Sequence, residues 1–380
     1  MQFQQQLSRQ FKHFCRTRQR RAFATQATSN ATMVGLSFQQ TALNADQRLT
    51  LSGACAATLP EGHSHDVLLF GGYHEAPDKQ RACTNSAWIY SAKTAAWEPV
   101  QYASGAVPQP RLVSQAVIVG SKLWIIGGWD SSISGPDAFL GDVWTLDLDT
   151  WAWQQQQLAG NSVLQGVSRH QAAAVGQHVY IHTHRTTDHI LRLDTSASPP
   201  LLEQLPVTGP APSSRGLHSM VHVDGHLYVL FGAPQKGAML DDVYRLDLAS
   251  LAWEELSGKV SGPKPHPRCS AAVGAVGDKI LVVGGAFYGA SGGLEMLQDA
   301  YVLDTSSSSW LVPELAGACS SSDAGSGASG GMPSARNAAV MVPLRAGAAG
   351  TAGGSPQLLL AGGWRAFVET YNDTYLATLS

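Results

Sequence analysis

Charge is the scarcest residue class in this 380-residue chain. Only 14% of positions are Asp, Glu, Lys or Arg, against roughly 25% in an ordinary soluble domain. Much of such a chain is expected to fold against itself. No run of 18 or more apolar residues occurs, so no transmembrane helix is expected. The body of the chain has no block of like charge and the formal net charge is −3, which argues against a basic nucleic-acid surface. Cysteine is sparse as well. Cys15, Cys55, Cys83, Cys269 and Cys319 are odd in number, far apart and form no CxxC. They read as free thiols in a reducing compartment rather than as a disulfide framework or a zinc site.

Acid is missing altogether from the N-terminus, where the first Asp or Glu is Asp46. The same stretch holds Arg9, Lys12, Arg16, Arg18, Arg20 and Arg21, and a helical period places Phe3, Leu7, Phe11 and Phe14 on one face. Organelle import machinery reads such a basic, acid-free, amphipathic segment. Arg21-Ala22-Phe23-Ala24 resembles the Arg-x-Phe cleavage site of mitochondrial presequences. Residues 1–33 are therefore expected to be a presequence cut near Phe23 or Ala24, and 34–380 the folded domain. The mitochondrion is the expected destination; a chloroplast transit peptide, or a basic tail on a cytoplasmic protein, is the alternative. Without the six basic residues the chain keeps 19 of its 25 Lys and Arg against 28 acids, a net charge near −9.

Glycine and tryptophan, by contrast, are plentiful, at 39 and ten positions, and they recur in register. Six hydrophobic runs end at small-residue pairs or their replacements: Val67 to Gly72, Leu123 to Gly128, Val179 to His184, Tyr228 to Gly232, Leu281 to Gly285 and Leu358 to Gly363. After each come a loop and a second strand, as in Asp142-Val143-Trp144, Asp242-Val243-Tyr244, Asp299-Ala300-Tyr301 and Asp373-Thr374-Tyr375. A later strand opens with Trp97, Trp153, Trp253 or Trp310 in most copies. An earlier strand is introduced by Arg111, Arg169, Arg215, Arg268 or Arg336. Four short strands per copy cannot bury both faces of a sheet alone, so the copies must stack, and a ring does this without an open end.

The double glycine, the Asp followed by Tyr or Trp, and the spaced Trp resemble the Kelch repeat over about residues 36–380. The resemblance implies an all-β fold, a six-bladed Kelch-type β-propeller. The sixth copy ends at Ser380 after its third strand, while Phe38 to Leu43 matches Trp153 to Leu158. Residues 36–43 are therefore expected to supply the outer strand that closes the last blade. The Ser/Gly/Ala-rich stretches 317–332 and 346–355 are expected to be disordered loops.

The strand order places the arginines on the same face as the loops that carry Tyr73, Trp129, Phe139, Phe287, Tyr288, Trp364 and Phe367. Arg111, Arg169, Arg215, Arg268 and Arg336, with Tyr73, Trp129, Phe287, Tyr288 and Trp364, are the candidate partner-binding set, suited to an acidic segment of another protein. In the competing reading each arginine bonds loop carbonyls and fixes blade spacing. The third copy departs from the pattern, with Thr183-His184 for the double glycine and His189 for the Asp. His182 and His184 are the candidate metal pair on one strand side, though no second ligand set is apparent.

No Gly-x-Ser-x-Gly, His-Glu-x-x-His or phosphate-binding glycine loop occurs, and no catalytic residue or cofactor is assigned. Kelch enzymes such as copper-radical oxidases pair a cysteine with a tyrosine beside histidines, a pairing not found here. The expectation is a protein-binding adaptor or scaffold. The alternatives are an enzyme or metabolite sensor using the axial pocket, and an accessory subunit of an organellar complex. No BTB or F-box segment accompanies the repeats, so recruitment to a ubiquitin ligase is not expected.

Overall fold

Runs such as Val67–Phe70 are apolar at every position rather than alternating, which requires cover on both faces of the strand. The computed structural model describes residues 33–41, 46–160, 164–316, 331–345 and 355–380. The expected presequence and both low-complexity stretches fall almost wholly outside these residues. Residues 34–380 make one compact unit. Among the described residues there is no α-helix, only the 3-10 turns Gln47–Leu49 and Pro136–Ala138.

Five sheets have four antiparallel strands each, and in each the chain passes outward from strand to strand. In the second sheet, for example, these are Gln115–Val119, Lys122–Trp129, Phe139–Asp147 and Trp153–Gln156. The inner strands of the others are Cys55–Thr58, Gln171–Val175, Ser219–Val223 and Ala272–Val276. The sixth sheet starts at Val340–Pro343 and runs through Gln357–Ala361 to Thr374–Leu379. Gly35–Gln40 pairs antiparallel with that last strand, Leu36 opposite Leu379 and Gln40 opposite Tyr375. Phe38 thus faces Ala377, as Trp153 faces Leu146 in the second sheet.

Inner strands contact one another in circular order, including Val340–Pro343 against Cys55–Thr58. Second strands lie sandwiched between neighbouring sheets; all four residues of Val67–Phe70 are buried, each worth about 1.5–3 kcal/mol. The outer-strand tryptophans seat on the preceding sheet: Trp153 packs 5.2 Å from Phe70, and Trp310 stacks 6.0 Å from Phe231. In the third sheet that aromatic position is Leu202, opposite Leu193.

Just before each inner strand, one residue adopts the left-handed conformation. These six are Gly53, Val113, Arg169, Leu217, Ser270 and Ala338, with φ between 48° and 63°. Each N–H from Val113 onward donates to the carbonyl of the residue before it in this series, at 2.8–3.2 Å, and Gly53 N–H donates to Ala338 O at 2.9 Å. Six hydrogen bonds therefore form an uninterrupted collar.

The double glycine is where one sheet grips the next. Gly127 has φ of 54°, and a Cβ there would lie 2.5 Å from the Val167 carbonyl oxygen; the following residue, Gly128, donates its N–H to that same oxygen at 2.8 Å. Only a residue without a side chain permits this approach in this conformation.

Candidate functional site

Arg111, Arg215, Arg268 and Arg336 are at most 1% exposed. Each forms a bidentate pair with an Asp at or near the start of the third strand of its own sheet. Arg111 reaches Asp142 at 2.7 and 2.9 Å, Arg268 reaches Asp299 at 2.7 and 2.9 Å, and Arg336 reaches Asp373 at 2.6 and 2.9 Å. Arg215 pairs likewise with Asp242. Two further donors go to backbone carbonyls, those of Gln109 and Gly127 for Arg111. Burial would raise the Asp142 carboxyl, but its bonds to Arg111, that cation's charge and a 2.7 Å bond from the Trp144 indole N–H hold it below the usual range. These four guanidiniums do not present a cationic mouth to a partner. At least four of the five N–H donors on each go to that Asp and to backbone carbonyls.

Arg169 is a different element. It occupies the collar position held by Val113, Leu217, Ser270 and Ala338 in other sheets. The third-sheet counterpart of the buried arginines is Val167, whose carbonyl accepts from Gly128 as that of Arg111 accepts from Gly72. Arg and Asp are lost together: the first sheet has Leu51 and Ser86, the third Val167 and His189. That joint loss is the signal in the sequence that identifies the Arg–Asp pair and sets Arg169 apart. Its side chain is exposed and, among the described residues, has no hydrogen-bond or ion-pair partner.

The loop aromatics are gathered on the collar side. Tyr73 pairs with Ser52, Trp129 with Leu112 and Trp364 with Asn337, each directly beside a collar residue. Arg81, which the sequence did not single out, has its guanidinium 4.6 Å from the Tyr73 ring and 5.0 Å from the Trp364 ring. With Tyr288, 59% exposed, these residues wall a mouth of about 560 Å3 above the collar. Phe287 packs 4.1 Å from His266, and Phe367, 91% exposed, packs edge-on against Trp364 at 5.5 Å.

Beside the mouth lies a cleft of about 1020 Å3 among the second, third and fourth sheets. Asp137, Phe139, Arg169, His184 and Arg185 are among the residues that line it, and it shares Leu217 and Gln235 with the mouth. The third sheet opens this space because its loop between second and third strands is only residues 183–188. Arg185 is exposed, and among the described residues its side chain bonds only the Gly166 carbonyl, at 3.4 Å.

The histidine pair separates. His178–His182 ends before His184, which turns into the cleft, while His182 is buried against Trp253 at 5.9 Å and lies 3.0 Å from His218. His182 sits at the strand position that Phe70 fills in the first sheet, and packs against Trp253 as Phe70 packs against Trp153. No group of three metal-ligating side chains occurs among the described residues. Burial lowers the pKa of His182 and of His170 to about 3, and that of His218 well below the ordinary value, so all three imidazoles are neutral at pH 7.

The model of the KLHDC2/KLHL20/DRC7 Kelch-repeats domain matches residues 44–200 and 183–330. Kelch domain-containing protein 3 of Bos taurus and that of Homo sapiens are each 28% identical to this chain over 233 residues, 58% of this chain and 58% of theirs. Acyl-CoA-binding domain-containing protein 4 of Arabidopsis thaliana is 24% identical over 246 residues, 62% of this chain and 34% of its own. The chain thus spans less than two thirds of the length of these relatives.

Proposed function

Because the chain belongs to the Kelch-repeat family, we propose that it is a protein-binding propeller whose collar-side face takes an acidic segment of a partner. The reading has six blades, the last completed by Gly35–Gln40, which makes the ring one rigid platform. Support for that closure comes from the antiparallel pairing of Gly35–Gln40 with Thr374–Leu379.

One observation carries the binding reading. With four arginines neutralised internally, Arg169 and Arg185 are left exposed in a single cleft without a carboxylate partner among the described residues. Guanidiniums at the edge of a wide cleft favour carboxylates by paired hydrogen bonds, and the adjoining Phe139, Trp364 and Tyr288 supply rigid apolar contact. The protein acts as an adaptor or scaffold inside an organelle, with the acid-free leader addressing it to mitochondria.

The test is affinity purification of the tagged protein from its own cells, wild type beside Arg169→Glu/Arg185→Glu. Loss of a defined interactor with an unchanged melting temperature is expected. An identical set of interactors would place the binding surface elsewhere. A fluorescent fusion to residues 1–45 that stays in the cytosol would overturn the address.

A further inference from the structure

The mouth and the cleft share one wall. Leu217, Ala233, Pro234 and Gln235 line both spaces, and all but the collar residue Leu217 belong to the loop that follows His226–Gly232, the second strand of the fourth sheet. That wall is fixed in place, since Ala233 and Gly216 exchange both backbone hydrogen bonds, at 2.8 and 2.9 Å. Its crest, Gln235 and Lys236, is exposed. The two spaces are therefore neighbouring halves of one groove, divided by a single backbone segment.

The halves differ in chemistry. In the cleft Asp142 and Arg215 are held in their in-sheet pairs, which leaves Arg169 and Arg185 facing Asp137 as the one other carboxylate of the lining. The mouth has no Asp or Glu in its lining. Its apolar side is built on the hairpin Ala286–Tyr288 and Leu294–Met296 of the fifth sheet, where Leu294 packs with Met239 and Cys269 in a cluster separate from the cores between sheets. Tyr288 stands exposed at its rim. Arg81 is already held between Tyr73 and Trp364, 3.7 Å from Glu75. Lys236 has no ion-pair partner among the described residues and carries positive charge to the crest. These cations collect here although acids outnumber Lys and Arg in the chain, 28 to 25, so the groove complements an occupant that is acidic at one end and apolar at the other.

We propose that one extended segment of a partner protein crosses this wall, with acidic residues on Arg169 and Arg185 in the cleft and one large apolar side chain in the mouth. The inference rests on the acidic-segment reading and adds to it a second anchor and a spacing. A chain passing over one packed backbone segment covers about 10 Å, which takes roughly two to four extended residues at ~3.3 Å each. An aromatic anchor suits the mouth, because a ring brings a large apolar area at low cost in conformational freedom. A small ligand fills one half of the groove; a chain reaches both.

Fluorescence anisotropy of labelled peptides, capped at both ends, on the full chain tests this. Each peptide joins two adjacent glutamates to a phenylalanine through one to five glycines, in either order. Controls carry glutamine in place of the phenylalanine or of the glutamates. At least one phenylalanine peptide is expected to bind saturably, at least tenfold more tightly than either of its controls. Tyr288→Ala, at an exposed position, should bring that peptide and its phenylalanine-to-glutamine control to equal affinity, and Arg169→Glu/Arg185→Glu should weaken the peptide at least tenfold. Equal binding with and without phenylalanine in the wild type would overturn the second anchor and leave the acidic reading intact. Binding that needs phenylalanine but ignores the arginine substitutions would overturn the acidic reading and the two-part segment with it. No saturable binding by any peptide refutes the two-part segment, and the acidic reading then stands or falls on its own interactor test. A dimer in sedimentation that Tyr288→Ala dissolves would mean that a second copy fills the mouth, which also overturns the proposal.

Discussion

Arg268 grips both oxygens of Asp299 from a position with no exposed surface, at 2.7 and 2.9 Å. Breaking such a pair strands one charge in the interior, at a cost of about 3–5 kcal/mol. Arg268→Met and Asp299→Leu should each lower the unfolding free energy, read from urea titrations, by that much. The double substitution Arg268→Met/Asp299→Leu should cost less than the two singles combined, because no lone charge remains. Additive losses in the double-mutant cycle would show that the pair is not coupled.

Acid should loosen the fold well above the carboxylate range. His170 and His182 titrate near pH 3 in the native state and His218 well below its ordinary value, whereas an unfolded histidine titrates near about 6.5. Between those limits the unfolded chain binds protons the native chain refuses, so stability falls as pH drops through the window, by up to about 1.4 kcal/mol per pH unit for each histidine. Asp142 acts lower down. Its folded pKa is depressed, so its contribution is intact above about pH 4 and disappears as pH falls through the folded value. Urea midpoints from pH 8 to pH 4 should slope downward, and His170→Leu should flatten that slope. Parallel slopes for the two proteins would contradict this assignment.

Phe38 lies edge-on to Tyr375 at 6.4 Å and is buried in the sixth sheet. Phe38→Ala should cost about 3–5 kcal/mol, and deletion of residues 34–45 should lower the melting temperature by many degrees. An unchanged melt after the deletion would show that the strand is dispensable to the ring.

Gly362 faces the Leu51 carbonyl oxygen, 2.6 Å from where a Cβ would sit, with φ of 63°. Gly362→Ala should destabilise by about 2–4 kcal/mol from backbone strain and overpacking. Gly258 has ordinary φ and open space around it, so Gly258→Ala should stay within about 0.5 kcal/mol of wild type. Equal effects at both positions would mean that the close approach is not what glycine serves there.

The repeat was legible because its signals are local in sequence: an apolar run, a glycine pair, an Asp before an aromatic. The match of Phe38 to Trp153 placed the N-terminal strand for the same reason. The site was less so. Arg111 and Asp142 are 31 positions apart, and spacing from the glycine pair does not reveal which way a guanidinium turns. Arg169 was aligned with the buried arginines because it precedes an inner strand, yet it stands two residues later, in a conformation that only coordinates show. Arg81 between Tyr73 and Trp364 joins loops of the first and sixth sheets, a meeting created by the circular order of the sheets and invisible along the chain.

The collar bonds all point the same way round the axis, each peptide dipole following the last until the series returns to Gly53. A helix sums its dipoles into two charged ends; a circulating set has no ends and its tangential components cancel. The backbone at this opening therefore contributes little net attraction for either sign of charge. What an approaching ion meets there is set by side chains, Arg169 at the collar and Arg81 and Lys236 in the mouth above it, so replacing Arg169 with an acid would lower the positive charge of the opening while the backbone that frames it stayed the same.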